Sequence, residues 1–81
     1  HFGGMQINYG KVELGHIHGN GLLDLYVGTQ KKQYFIEHLH CVDHHVLDKS
    51  SSWVSFWIKE QKDYERAMNI LKEVYVDRID V

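Results

Sequence analysis

The sequence predicts an α+β fold of two layers, an antiparallel sheet of about four to five strands with two helices on one face. Three observations predict it. All seven glycines lie at or before Gly28 and the chain has no proline, so the first third reads as strands joined by tight turns and the rest as longer unbroken elements. The run Trp53-Val54-Ser55-Phe56-Trp57-Ile58 is the clearest strand, with β-branched and aromatic residues alternating about Ser55. Tyr64, Ala67, Met68, Ile70, Leu71, Val74 and Tyr75 form an apolar stripe at helical spacing, with Glu65, Arg66, Lys72 and Glu73 outside it.

The elements follow in order. Residues 5–9 are extended, Gly10-Lys11 turns, and residues 11–18 form a second strand by period-two alternation. Gly19-Asn20-Gly21 is strong turn chemistry, because Asn and Gly tolerate positive φ, and it leads into a strand over residues 22–27. Gly28 stops that strand and Thr29 is placed to cap a helix over residues 30–40, where Phe35, Ile36 and Leu39 fall at helical spacing. The Lys31-Lys32 pair reads as its solvated surface. Residues 42–47 are expected to be extended, residues 48–52 form a polar turn, and residues 53–58 form the strand already described. The closing amphipathic helix begins near Gln61 or Asp63 and runs to Val76.

Composition narrows the function. With 81 residues, the chain is expected to form a single domain over residues 1–81. Its start without Met, at His1-Phe2-Gly3-Gly4, leads us to expect further residues upstream. A net charge of −2 with nine scattered Lys and Arg supplies no field for nucleic acid. There is no run of about 18 apolar residues and no leader pattern, so neither a membrane partner nor a signal peptide is expected. The single cysteine, Cys41, cannot form an internal disulfide and suits a reducing compartment, so a cytoplasmic location is expected. Its thiol, beside His38 and His40, reads as a small apolar group at a helix end rather than a nucleophile. Ser50, Ser51 and Ser52 lie in a turn without the elbow motif of a serine hydrolase.

The histidines carry the chemistry. His16 and His18 stand two apart on a strand and so share one face, which period-two alternation extends to Val12 and Leu14. Asp24 faces away from Leu23 and Leu25 on the next strand and can supply a carboxylate to the same place. With His44 or His45 from another strand, the set offers three imidazole nitrogens and a carboxylate to a divalent transition metal such as Zn, Fe, Ni or Mn. Alternatively, Asp24 orients a histidine ring as an acceptor. The ligand-binding set is therefore His16, His18, Asp24 and His45, with Ser51 and Trp53 at its rim, and the metal set is His16, His18 and His45.

The run Gly15-His16-Ile17-His18-Gly19-Asn20-Gly21-Leu22-Leu23-Asp24-Leu25, followed by His45, by Ser51-Ser52-Trp53-Val54-Ser55-Phe56 and by a helix with Asp63, Ala67, Leu71 and Tyr75, resembles the small luciferase-like domain family. The resemblance runs from about Gly10 to Tyr75. Ser52 stands where that family usually has glycine, a departure in a turn rather than at the histidines. What the resemblance implies is a fold family and a shared histidine site, more than light emission. Two function classes follow. One is a module binding a metal or small ligand at the histidines. The other is an interaction module or homodimer that uses the sheet face carrying Trp53 and Trp57.

Overall fold

Turn chemistry lays the first three strands side by side, and the later elements fold around them. The computed structural model describes residues 4–44 and 46–79. Its elements are β1 (Gly4–Tyr9), β2 (Val12–His18), β3 (Leu22–Tyr26), α1 (Lys32–His38), β4 (Val42–Asp43), β5 (Trp53–Trp57) and α2 (Gln61–Ile79). The five strands form one sheet in the order β1-β2-β3-β5-β4, every neighbouring pair antiparallel. This is the predicted α+β architecture.

Leu23 and Leu25 of β3, Val54 and Phe56 of β5, Phe35 of α1 and Ala67, Ile70 and Val74 of α2 meet in one core. Several of these side chains are fully removed from water, and each such burial contributes roughly 1.5–3 kcal/mol. The residues alternating with them in β3 and β5 point to the opposite, open face of the sheet. That face holds Asp24, Ser55, Trp53 and Trp57.

One irregularity decides what β2 presents there. Ile7 pairs with Gly15 and Asn8 with Glu13, so Leu14 is an extra residue opposite no partner in β1, a β-bulge. The bulge shifts the side-chain alternation by one. Leu14 is buried in the core with Ile17 packed near it, while Glu13, His16 and His18 lie on the open face. This corrects the expectation that the histidines share a face with Leu14, because period-two counting fails across a bulge.

Other boundaries move for local reasons. Helix α1 is shorter than residues 30–40, and Lys31 rather than Thr29 occupies its N-cap, without a side-chain cap bond. At its far end His40 takes a left-handed φ of 63°, and the Cys41 N–H bonds back to the Phe35 carbonyl at 3.2 Å, which turns the chain into β4. Strand β4 stops at Asp43 because His44 closes a turn on itself: its Nδ1 accepts the backbone N–H groups of Val46 and Leu47, both at 3.1 Å. Helix α2 continues three residues beyond Val76.

Lys32 also departs from the sequence reading. Lys31 is exposed and pairs with Asp77, but Lys32 is buried. Its Nζ donates to the carbonyls of Lys49 and, at 3.0 Å, Ser51, and pairs with Asp43 Oδ1 at 3.2 Å. Three acceptors satisfy the three ammonium protons, so the residue fastens the loop before β5 to α1 and β4. Among the described residues no helix is long and apolar enough to cross a membrane.

Candidate metal centre

The central strands bring the candidate residues together through their register. His16 of β2 lies opposite Asp24 of β3, and Asp24 lies opposite Ser55 of β5. Directly opposed residues share a face, so the three side chains meet on the open side of the sheet. His18 follows one pleat along.

Asp24 is fully buried, at 0% exposure, although no helix covers it. Its cover consists of imidazole and indole rings. The His16 ring stands edge-on to that of His18 with centroids 4.9 Å apart, and Trp53 packs at 5.6 Å from His16 and 6.2 Å from His44. A carboxylate taken from water in this way needs strong partners, since an unpaired buried charge is very costly. Asp24 has them on both oxygens. Oδ1 accepts the Ser55 hydroxyl at 2.6 Å. Around Oδ2 lie three imidazole nitrogens, His18 Nε2 at 2.9 Å, His44 Nε2 at 3.3 Å and His16 Nε2 at 3.4 Å.

Hydrogen-bond partners assign the protons on these rings. His18 Nε2, 2.9 Å from Asp24 Oδ2, donates to it, and a metal ion bound there would displace that proton. His16 Nδ1 lies 3.3 Å from Glu13 Oε2, and a carboxylate can only accept, so Nδ1 carries a proton. In neutral His16 the Nε2 lone pair then faces the lone pairs of Asp24 Oδ2. A cation between them, a proton or a metal ion, turns that opposition into attraction. His44 is held the other way: its Nδ1 accepts two backbone N–H groups, which leaves its proton on Nε2, directed at Asp24.

His16, His18 and Asp24 each offer one ligand atom, and the three atoms lie within 4.8 Å of one another. A tetrahedral ion with bonds of about 2.0–2.1 Å separates its ligand atoms by about 3.3 Å. The 2.9 and 3.4 Å separations from Asp24 Oδ2 to the two histidine nitrogens bracket that value. A bond from Glu13 to the far nitrogen of His16 is also the usual support of a metal-bound histidine, since it orients the ring and raises its basicity.

The remaining predicted residues fall as follows. Trp53 is half-buried as a wall of the cluster and also meets Tyr26 edge-on at 5.6 Å, whereas Trp57 is 40% exposed farther along the strand, beneath Lys59. Ser51 is engaged elsewhere, its carbonyl with Lys32 and its hydroxyl with the Trp53 N–H at 3.4 Å. His45 lies outside the described residues. Cys41 is buried and burial pushes its thiol up to about 12, so it carries almost no thiolate near neutrality. Cavities of about 470 and 430 Å³ lie away from the cluster, the first beside Lys32 and Ser51 and the second beside Tyr26 and Asp77. The atoms able to hold a metal converge at His16, His18 and Asp24, whereas Lys32 beside the first cavity is already saturated.

Sequence reading missed Glu13 and Ser55. Ser55 has a visible signal, a small hydroxyl between two tryptophans on one strand face. Glu13 had none, since it reaches His16 only through the bulge. The fold thus gathers its histidine cluster on β2 and β3, with Ser55 and Trp53 of β5 against it, and the chain that builds these strands and α2 coincides with one known domain. A family model described as a luciferase domain matches residues 11–74, from the start of β2 to the core-facing end of α2. Comparison with curated proteins and with solved structures finds no match. On a match spanning most of its length, the chain belongs to the luciferase domain family.

Proposed function

We propose that this domain binds a divalent transition metal through His16 Nε2, His18 Nε2 and an oxygen of Asp24. The observation that carries the reading is the Glu13, His16, Asp24 relay. Glu13 takes the proton side of His16 and leaves a lone pair facing a buried carboxylate oxygen 3.4 Å away, an arrangement that a cation completes. Two imidazoles and a carboxylate suit Zn, Fe, Ni or Mn over Mg or Ca, which prefer oxygen donors alone. Ser55 holds the second carboxylate oxygen and so fixes which one faces the histidines.

Thermal unfolding with and without Zn, Ni and Mn tests this in the wild-type chain and in His16→Ala/His18→Ala. A ligand present at 100 times its Kd stabilises by about 2.7 kcal/mol, which for a domain of this size raises Tm by about 10 °C or more. The double variant should show no such rise. An equal shift in both proteins, or none in either, removes the proposal.

A second reading rests on the open face itself. Trp57 and Val42, 40% and 48% exposed, lie on the side that the helices leave bare, and they fit a surface for a second copy of the chain. Sedimentation over a concentration series without metal tests it, and a monomer throughout would refute it.

A further inference from the structure

Three imidazoles approach Asp24 Oδ2, yet they are not equivalent, and the difference defines what kind of centre this is. Resting on the metal-binding reading above, we propose that the centre has three protein ligands with coordination positions left open for a small oxygen or nitrogen anion, and that His44 is the hydrogen-bond donor beside those positions rather than a fourth ligand. The third imidazole is excluded from ligation by its own loop. His44 Nδ1 accepts the backbone N–H groups of Val46 and Leu47, both at 3.1 Å, so Nε2 holds the proton and has no lone pair for a metal. Moving the proton to Nδ1 would set it against two N–H donors and undo the turn that ends β4. His16 is wired in the opposite sense, with Nδ1–H toward Glu13 and Nε2 open to an ion.

The consequence is chemical. Structural sites of this metal class are closed by four protein ligands, whereas a site with three keeps room for water or substrate. Two histidines and one carboxylate with open positions is also a set that binds and activates small oxygen ligands. His44 Nε2–H, 3.3 Å from Asp24 Oδ2 and only 10% exposed, stands where it can donate to an anion bound at the metal. Trp53 packs against both His44 and His16 and shields that donor from water on one side. A shielded N–H donor beside the open positions would hold the negative charge of an anion bound there.

The test loads the domain with Co(II), whose visible spectrum reports coordination, and adds azide as the probe anion. The informative variant is His44→Asn. An asparagine Oδ1 can replace Nδ1 as acceptor for Val46 and Leu47 and so preserve the turn, while the Nε2–H donor is lost. A second variant, His44→Gln, restores an amide donor at about the reach of Nε2. We expect wild type and both variants to bind one equivalent of Co(II). Azide should change the wild-type spectrum, bind about tenfold more weakly to His44→Asn, and recover part of that loss in His44→Gln. Loss of stoichiometric cobalt from both His44 variants would make His44 a ligand and overturn the inference while leaving metal binding intact. A cobalt spectrum that azide does not change in the wild type would make the centre closed, with the same result. No cobalt binding by the wild type would overturn this inference and the metal reading together.

Discussion

Gly15→Ala should damage both the fold and the centre, although the position has no unusual backbone angle. Gly15 is buried in β2 against β3, and a Cβ placed there would stand 2.1 Å from the Asp24 carbonyl oxygen, 3.1 Å from its carbon and 3.0 Å from Leu25 Cδ2. Real Cβ contacts stay beyond about 3.0 Å, so the strands would have to part by about 1 Å, and a carbonyl within a sheet has no rotamer by which to yield. Overpacking of this kind costs about 1–3 kcal/mol, and each ladder hydrogen bond stretched at Gly15↔Leu25 or His16↔Asp24 adds about 1 kcal/mol. We expect a loss of about 2–5 kcal/mol and a Tm lower by about 10 °C or more, measured by urea and thermal unfolding followed by circular dichroism. Gly10→Ala is the control. Gly10 has φ 58° with nothing within 4 Å of an added Cβ, so it should lose only the about 1–2 kcal/mol of left-handed strain. If Gly15→Ala were no less stable than Gly10→Ala, the close approach of β2 and β3 at the bulge, and the placement of His16 that depends on it, would be refuted.

Three further outcomes follow from particular contacts. Glu13→Ala should leave Tm without metal nearly unchanged but weaken metal binding about 10- to 100-fold in calorimetry, because it removes only the support of His16 Nδ1; unchanged affinity would contradict the relay. Cys41 should react with iodoacetamide at pH 8 only when the chain unfolds, since burial both covers the thiol and pushes it up to about 12, and rapid labelling of the native protein would contradict that burial. Asp63 accepts the N–H groups of Lys59 and Glu60 at 2.9 and 3.0 Å at the start of α2, and these bonds hold its carboxyl below the usual carboxylate range. Its stabilisation is therefore complete above the unfolded value of about 3.9 and is lost as pH falls through the lowered folded value. Asp63→Ala should unfold at lower temperature than wild type at pH 7, with the gap closing on the acid side, and a gap that widens there would refute the assignment.

Much of this architecture was legible in the chain because its signals are local. Asn20-Gly21 marks a hairpin wherever it sits, the stripe from Tyr64 to Tyr75 needs no knowledge of what it packs against, and Asp24 between Leu23 and Leu25 points away from the core by pleat alone. These readings placed His16, His18 and Asp24 as one candidate site. What escaped is what two strands decide jointly. A bulge at Leu14 exists only relative to β1, so strict alternation assigned Leu14 and the histidines to one face and left Glu13 unconnected. The end of β4 depends on an imidazole accepting from its own loop, and the burial of Lys32 depends on carbonyls of Lys49 and Ser51, which the sequence presents as an ordinary polar turn.

Metal analysis of the untagged protein tests most directly whether His16, His18 and Asp24 hold a metal ion, as we propose. The wild type, equilibrated with Zn(II) and dialysed, should retain about one equivalent per chain, while Asp24→Asn and His16→Ala/His18→Ala should retain almost none. Wild-type protein that emerges free of metal, or variants that hold as much as the wild type, would contradict the account and leave the three imidazoles as hydrogen-bond partners of a buried carboxylate.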